Sequence, residues 1–479
     1  MFRRAVVQAL VLLLAAGLAA PTIAQEAGAQ ENLGREACSL ARPDRAIPSC
    51  TRIIDDPSEP ADVRAMALRN RGFYYQAQGD LDRALADYGA VLKRGPRDPR
   101  LDAKAYVNRG LVYDRMGDAA RALADYGQAV ALDPALASAY VNRAAVLIRR
   151  GERDRAIADL DQAVRLRPKD PAIRVSRGAL LASGGDEDRA IADFSVAIGL
   201  NPTDAAAWQG RGFAYRAKGD NARAAADAAE AIRLDPALAS AHQDLGLSLR
   251  AAGDAARAIA EFGKAIALDP HGPEALTARG DAYLAAGDRD RAIADYSQAI
   301  GIDPGRAGAY VNRGAAYLGQ ARWDLAIADF TTVITLDPAQ FAAYLDRGEA
   351  RAASHDPDGA IADFDQAIRL RPDLTEAYRH RAFLLQAKGE TLAAIADYGQ
   401  VIARDPKDAE ALRGRGFAEL ARHDNAAAIA DLTAAIALNP QDALAYRFRS
   451  LAYAAAHDLK RAMSDDETSL RLDPKQPRG

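Results

Sequence analysis

The stretch from Ala103 to Leu136 reads AKAYVNRGLVYDRMGDAARALADYGQAVALDPAL, and near copies of it follow one another down the chain. Its proline begins an unbroken series of eleven, spaced 34 residues apart: Pro134, Pro168, Pro202, Pro236, Pro270, Pro304, Pro338, Pro372, Pro406, Pro440 and Pro474. A period of that length marks one supersecondary unit copied many times, each copy too small to bury its own apolar face and stable only when stacked on neighbours.

With the proline counted as position 32, the quoted unit has Tyr106 at 4, Arg109 and Gly110 at 7 and 8, and Tyr113 at 11. Gly117 follows at 15, Ala122 at 20, Tyr126 at 24 and Ala129 at 27. Positions 4, 8 and 11, and again 20, 24 and 27, lie three or four apart, so each set forms one apolar stripe on a helix and the unit is a helical hairpin. The order aromatic, Gly, aromatic, Ala, aromatic, Pro resembles the tetratricopeptide repeat. Twelve such units run over residues 65–476, with a four-residue insertion at 99–102. The resemblance implies an all-α fold, an α-α superhelical solenoid of about twelve hairpins. No stretch alternates with the period of a strand.

The recurring residues have physical jobs. Position 20 is Ala in all twelve units and position 8 is Gly, Ala or Ser in all twelve, which lets the two helices approach while aromatics fill the space beside them. Position 15 is Gly in eight units and position 16 is acidic in eleven, as suits the end of one helix and the start of the next. Arg stands at position 7 in eleven units and an acid at position 23 in all twelve. These positions are level in an antiparallel hairpin, so an interhelical ion-pair ladder is expected, with one rung missing where Leu245 faces Glu261. Arg351 and Glu419 at position 11, and Ala228 at position 24, weaken stripes that neighbouring units keep apolar or aromatic.

The chain has 479 residues, 49% of them apolar and 6% aromatic, which suits thin repeated seams better than a thick core. Its 62 basic and 66 acidic residues balance, which argues against a nucleic-acid partner or an anionic membrane surface. Arg3 and Arg4 precede an apolar run from Ala5 to Ala20, and Pro21-Thr22-Ile23-Ala24 offers a small-residue cleavage site. Residues 1–24 therefore read as a signal peptide, with no membrane insertion after its cleavage. The chain is expected in the periplasm; a secreted form, or one anchored by an uncleaved signal, is the lesser alternative because the run falls short of the roughly 20 residues a span requires.

Cys38 and Cys50 are the two cysteines of the chain, and an exported pair usually bonds. They lie in residues 25–64, which look like a worn extra repeat: Leu33 and Gly34 fall at positions 7 and 8, Ala46 at 20, Cys50 at 24 and Ile53 at 27. A disulfide there would staple an N-terminal cap that has no earlier neighbour. Residues 477–479 form a short tail.

Candidate chemistry is sparse. His355, His423 and His457 occupy position 15, each followed by Asp, and read as turn residues, a metal rim being disfavoured because the pairs repeat along an edge without converging. No nucleophile elbow, phosphate-cradling loop or paired-Cys metal motif occurs. We therefore expect no catalytic residues, no cofactor and no metal. By the family resemblance, positions 2, 5, 6, 9, 12 and 13 of each first helix line a concave groove. There the sequence is often neutral, with Val107, Asn108 and Leu111, Val141 and Asn142, and Val311 and Asn312; Asn70 adds a fourth asparagine at position 6. Toward the C-terminus the same positions become mixed in charge, with Glu376, Arg379, Glu410, Arg413 and Arg447. The expectation is a monomeric, non-enzymatic scaffold or adaptor whose groove holds a peptide or helix of a protein partner. The alternative is a structural component of the cell envelope that acts by self-association.

Overall fold

The computed structural model describes Cys38, residues 42–94 and residues 98–474. The signal segment 1–24, residues 25–37 with Leu33 and Gly34 of the cap, and the tail lie outside the described residues. All regular structure among the described residues is helical. Helix α1, Pro43–Asp55, is followed by paired helices that form two separate units, up to Leu268 and from Asp269 onward.

The first unit holds α1 and six hairpins. Hairpin 1 pairs Ala61–Ala77 with Leu81–Lys93, hairpin 2 Pro99–Arg115 with Ala119–Leu132, and hairpin 3 Ala137–Arg149 with Arg153–Leu166. Hairpins 4 to 6 pair Pro171–Ser183 with Glu187–Leu200, Ala205–Ala217 with Asn221–Leu234, and Ala239–Ala251 with Ala255–Leu268. The second unit holds hairpins 7 to 12. They pair Pro273–Ala285 with Arg289–Ile302, Ala307–Leu318 with Trp323–Leu336, and Phe341–Ala353 with Pro357–Leu370. The last three pair Thr375–Ala387 with Thr391–Arg404, Ala409–Ala421 with Asn425–Leu438, and Ala443–Ala455 with Leu459–Leu472. The chain is an α-α solenoid.

Local chemistry explains the punctuation. Asp118 at position 16 caps its helix by accepting from the backbone N–H of Arg121, and Asp220 does the same for Arg223. The turn residue at position 15 is left-handed throughout: eight glycines have φ between 76° and 87°, and Ala321, His355, His423 and His457 have φ of 57°, 65°, 64° and 62°. The three histidines are thus turn residues, held in a conformation that costs any side chain with a Cβ. Asp133 ahead of Pro134 accepts from the N–H of Ala135, closing an Asx turn where the proline stops the helix.

The insertion at 99–102 adds a turn to the start of a helix. The first helix of hairpin 2 has 17 residues where that of hairpin 3 has 13. The first helix of hairpin 1 is also 17 residues long, because residues 61–64 form a second such extension ahead of the repeat. Sequence counting missed it, since the cap's boundary proline, Pro57, stands off the 34-residue series, although Asp56 closes the same turn by accepting from the N–H of Ser58.

In hairpins 1, 2, 4 and 6 to 9 the position 24 ring is buried against the position 8 glycine. A Cβ on Gly280 would lie 2.6 Å from Tyr296 Cε1, and one on Gly348 2.7 Å from Phe364 Cε1. Small residues there are therefore a steric requirement. The ladder forms as expected, with Arg and Asp paired through two parallel hydrogen bonds of 2.5 to 2.9 Å, as in Arg211–Asp227 and Arg415–Asp431. At the missing rung His242 replaces the arginine, its Nδ1 lying 2.7 Å from Glu261.

The ladder also ties one hairpin to the next. Arg177 donates through Nε and Nη2 to Asp193 at 2.6 Å each, and through Nη1 to Asp161 of the preceding hairpin at 2.8 Å. Ser195, Ser297, Thr331 and Thr433, all at position 25, accept in the same way from Arg211, Arg313, Arg347 and Arg449. In the cap, Thr51 takes this role for Arg71 at 3.0 Å. That contact shows that α1 stands where the second helix of an earlier repeat would stand. Cys38 and Cys50 are joined, with their Cα atoms 4.9 Å apart. Their spacing of 12 matches that of Gln76 and Tyr88, which are hydrogen-bonded at 3.0 Å across hairpin 1, so the disulfide replaces a side-chain contact used elsewhere in the array.

Candidate binding face

Successive first helices pack against one another in most neighbouring hairpins of each unit, as well as against their own second helices; successive second helices do not pack in that way. Position 6 is the wedge of this contact. It sits between two residues of the preceding hairpin, the position 24 ring and the residue at position 9. His380 is stacked on Phe364 at 5.6 Å and has its Nε2 3.4 Å from Glu349. Asn312 donates to Asp281 at 2.8 Å, and Phe448 stacks on Phe417 at 4.3 Å.

The asparagines named above therefore differ in setting. Asn108 is only 9% exposed and its side chain hydrogen-bonds the Tyr88 hydroxyl, while Asn312 is held by Asp281. Asn70 is half-buried and accepts from Arg69; Asn142 is half-buried. Val107 and Val141 are buried, and Leu111 and Val311 half-buried. Two of the four amides, those of Asn108 and Asn312, are thus spent on stacking the hairpins. The arginines at position 5 are likewise engaged: Arg379 lies 3.6 Å from Asp408 and 3.4 Å from Glu410, and Arg413 lies 2.7 Å from Asp442. Arg447 is half-buried on the same face of hairpin 12.

Sequence reasoning passed over the residues that make hairpins 9 to 12 distinctive. Phe383 at position 9 of hairpin 10 is 67% exposed, and Phe417, Leu444 and Leu451 on the next two first helices are exposed as well. On the first helices of hairpins 9 and 10, Asp346, Glu349 and Glu376 cluster, and His380, one turn before Phe383, lies 3.4 Å from Glu349. Burial first, then the charges of Glu349 and Glu376, push the Asp346 carboxyl up to about 6. The available signal was Phe at position 9, which becomes meaningful only when read together with position 6 of the following unit.

Models of the tetratricopeptide repeat match residues 63–135, 107–171, 141–205, 205–238, 244–307, 311–375 and 418–477. The chain is a tetratricopeptide repeat protein. Solved structures resembling this tetratricopeptide repeat protein include YrrB, described as a TPR protein with an unusual peptide-binding site. It is 22% identical, with 38% of this chain and 95% of that one covered and a TM-score of 0.36. MamA is 26% identical over 34% of this chain and 94% of its own, with a TM-score of 0.33. The APC/C hetero-tetramer Cut9–Hcn1 is 15% identical over 86% and 94%, with a TM-score of 0.40. No curated protein matches the tetratricopeptide repeat chain by sequence. Among the described residues, no helix is long and apolar enough to cross a membrane.

Proposed function

We propose that the protein is a non-enzymatic, protein-interaction scaffold of the periplasm that holds a peptide or helix of a partner along its first helices. The observation that carries this reading is the row formed by positions 5, 6 and 9. Within the second unit that row joins hairpin 7 to 8, 9 to 10 and 11 to 12 through Asp281–Asn312, Glu349–His380 and Phe417–Phe448, and it leaves side chains open to solvent. A surface of this kind suits a ligand that crosses several repeats. The compartment is supported by the cap disulfide, which persists in oxidising surroundings, and by the character of residues 1–24.

The test is site-specific cross-linking. A photo-reactive residue at Ala315, exposed on a first helix, should capture an envelope protein identifiable by mass spectrometry; one at Gln298, exposed on a second helix, should not. Capture from Gln298 alone would place the working surface on the opposite side. Self-association remains the second reading, favoured by Leu459 and Met463, which are 65% and 74% exposed on the last helix. A mass that rises with concentration in light scattering, and falls on Met463→Glu, would establish it.

A further inference from the structure

Phe383 finds no wedge in the next hairpin. In the other seams described above, position 9 finds a side chain at position 6 of the next hairpin: Asp281 has Asn312, Glu349 has His380 and Phe417 has Phe448. For Phe383 the corresponding residue is Gly414, which offers no side chain. Tyr398 fills the space instead: a Cβ on Gly414 would lie 2.7 Å from its Cε1 and 2.8 Å from its hydroxyl oxygen. Tyr398 is 4% exposed, so its ring stays within the seam. The seam between hairpins 10 and 11 thus leaves one face of a phenyl ring open to solvent, next to the Phe417–Phe448 stack.

Charge around this ring is uneven. On the C-terminal side the cations are balanced, Arg379 by Asp408 and Glu410, and Arg413 by Asp442. On the N-terminal side three carboxylates, Asp346, Glu349 and Glu376, gather with His380 as the basic group among them. Mutual repulsion there is relieved by a cation brought from outside. An open aromatic ring beside surplus carboxylates is complementary to a basic side chain, which gains from the ring face and the carboxylates together.

We infer that the first-helix face of hairpins 9 to 11 is a docking site for a peptide segment that places a basic side chain among Glu349, Glu376 and Asp346 and an aromatic side chain on the open face of Phe383. This deepens the scaffold reading and rests on it.

The experiment measures fluorescence anisotropy of short labelled peptides with residues 25–479. One peptide carries Lys and Trp in a Gly-Ser frame, the second Glu and Trp, the third Lys and Ala. The Lys/Trp peptide should bind saturably, and each of the other two about tenfold more weakly. Phe383→Ala should weaken the Lys/Trp peptide about tenfold and leave the Lys/Ala peptide unchanged, while Glu349→Gln with Glu376→Gln should weaken both. Phe383→Leu serves as a second variant with the same expected loss of ring stacking, and circular dichroism checks that helicity is kept. Equal binding of the Lys/Trp and Lys/Ala peptides, indifference to both Phe383 variants, or no saturable binding would overturn the inference. If cross-linking from Ala315 still captures a partner in that event, the scaffold reading stands and only the chemistry assigned to this seam falls.

Discussion

Gly414 lies against the ring of Tyr398, with space for a hydrogen and none for a methyl group: a Cβ there would stand 2.7 Å from Cε1. The contact joins hairpins 10 and 11, so it governs how one repeat seats on the next. Gly414→Ala should destabilise this seam by about 1–3 kcal/mol through overpacking, although alanine is the better helix former. Hydrogen exchange should show faster opening on both sides of the seam and no change in hairpins 7 and 8. Uniform protection in the variant would mean that the ring yields freely.

Asp363 accepts from two arginines, Arg347 at 2.7 and 2.9 Å and Arg351 at 2.9 Å. Arg351 stands where other units place an apolar or aromatic side chain, and this second bond holds it against the hairpin. Asp363→Asn leaves half-buried Arg347 without its carboxylate and Arg351 with only Asp356 at 3.7 Å, and a loss of about 2–4 kcal/mol in local stability is expected. Asp365→Asn, at a solvent-facing partner of Arg381, should change stability by less than about 1 kcal/mol. Chemical denaturation of the two variants side by side checks the contrast.

Glu419 carries a pH dependence that runs opposite to that of most carboxylates. Burial, followed by the charge of Asp431, pushes its carboxyl up to about 7, against a partial offset from Arg415; Asp424 adds to the rise. A folded value raised above the unfolded 4.5 means that the native state holds the proton more tightly. Stability from this group is therefore present at low pH and is lost as pH rises through about 7. Glu419→Gln should raise the thermal midpoint of hairpin 11 at pH 8 and have little effect at pH 5. A midpoint gain of equal size at both pH values would exclude this assignment.

The disulfide should protect the cap and little else. In a stacked array each repeat feels mainly its neighbours, so reduction of Cys38–Cys50 should accelerate amide exchange in α1 and hairpin 1 and leave hairpins 4 to 6 unaffected. The closed loop is short, and its loss is expected to cost about 2–3 kcal/mol by the chain-entropy account. A thiol assay on unfolded, unreduced protein should find neither cysteine available.

The 34-residue period, the small residues at positions 8 and 20, and the Arg–Asp pairing at a separation of 16 were all legible in the sequence, because each expresses the geometry of a single hairpin. Local rules of helix period, capping and turn conformation suffice for contacts between helices joined by a short turn. What lies between hairpins was not legible. Asn108 and Phe383 both stand at groove positions, 6 and 9, yet Asn108 is 9% exposed against Tyr88 while Phe383 is 67% exposed. The reason is that stacking brings together residues such as Phe417 and Phe448 whose meeting depends on how far one hairpin rotates over the next. The tertiary structure sets that rotation, and the repeat period is the same whatever its value.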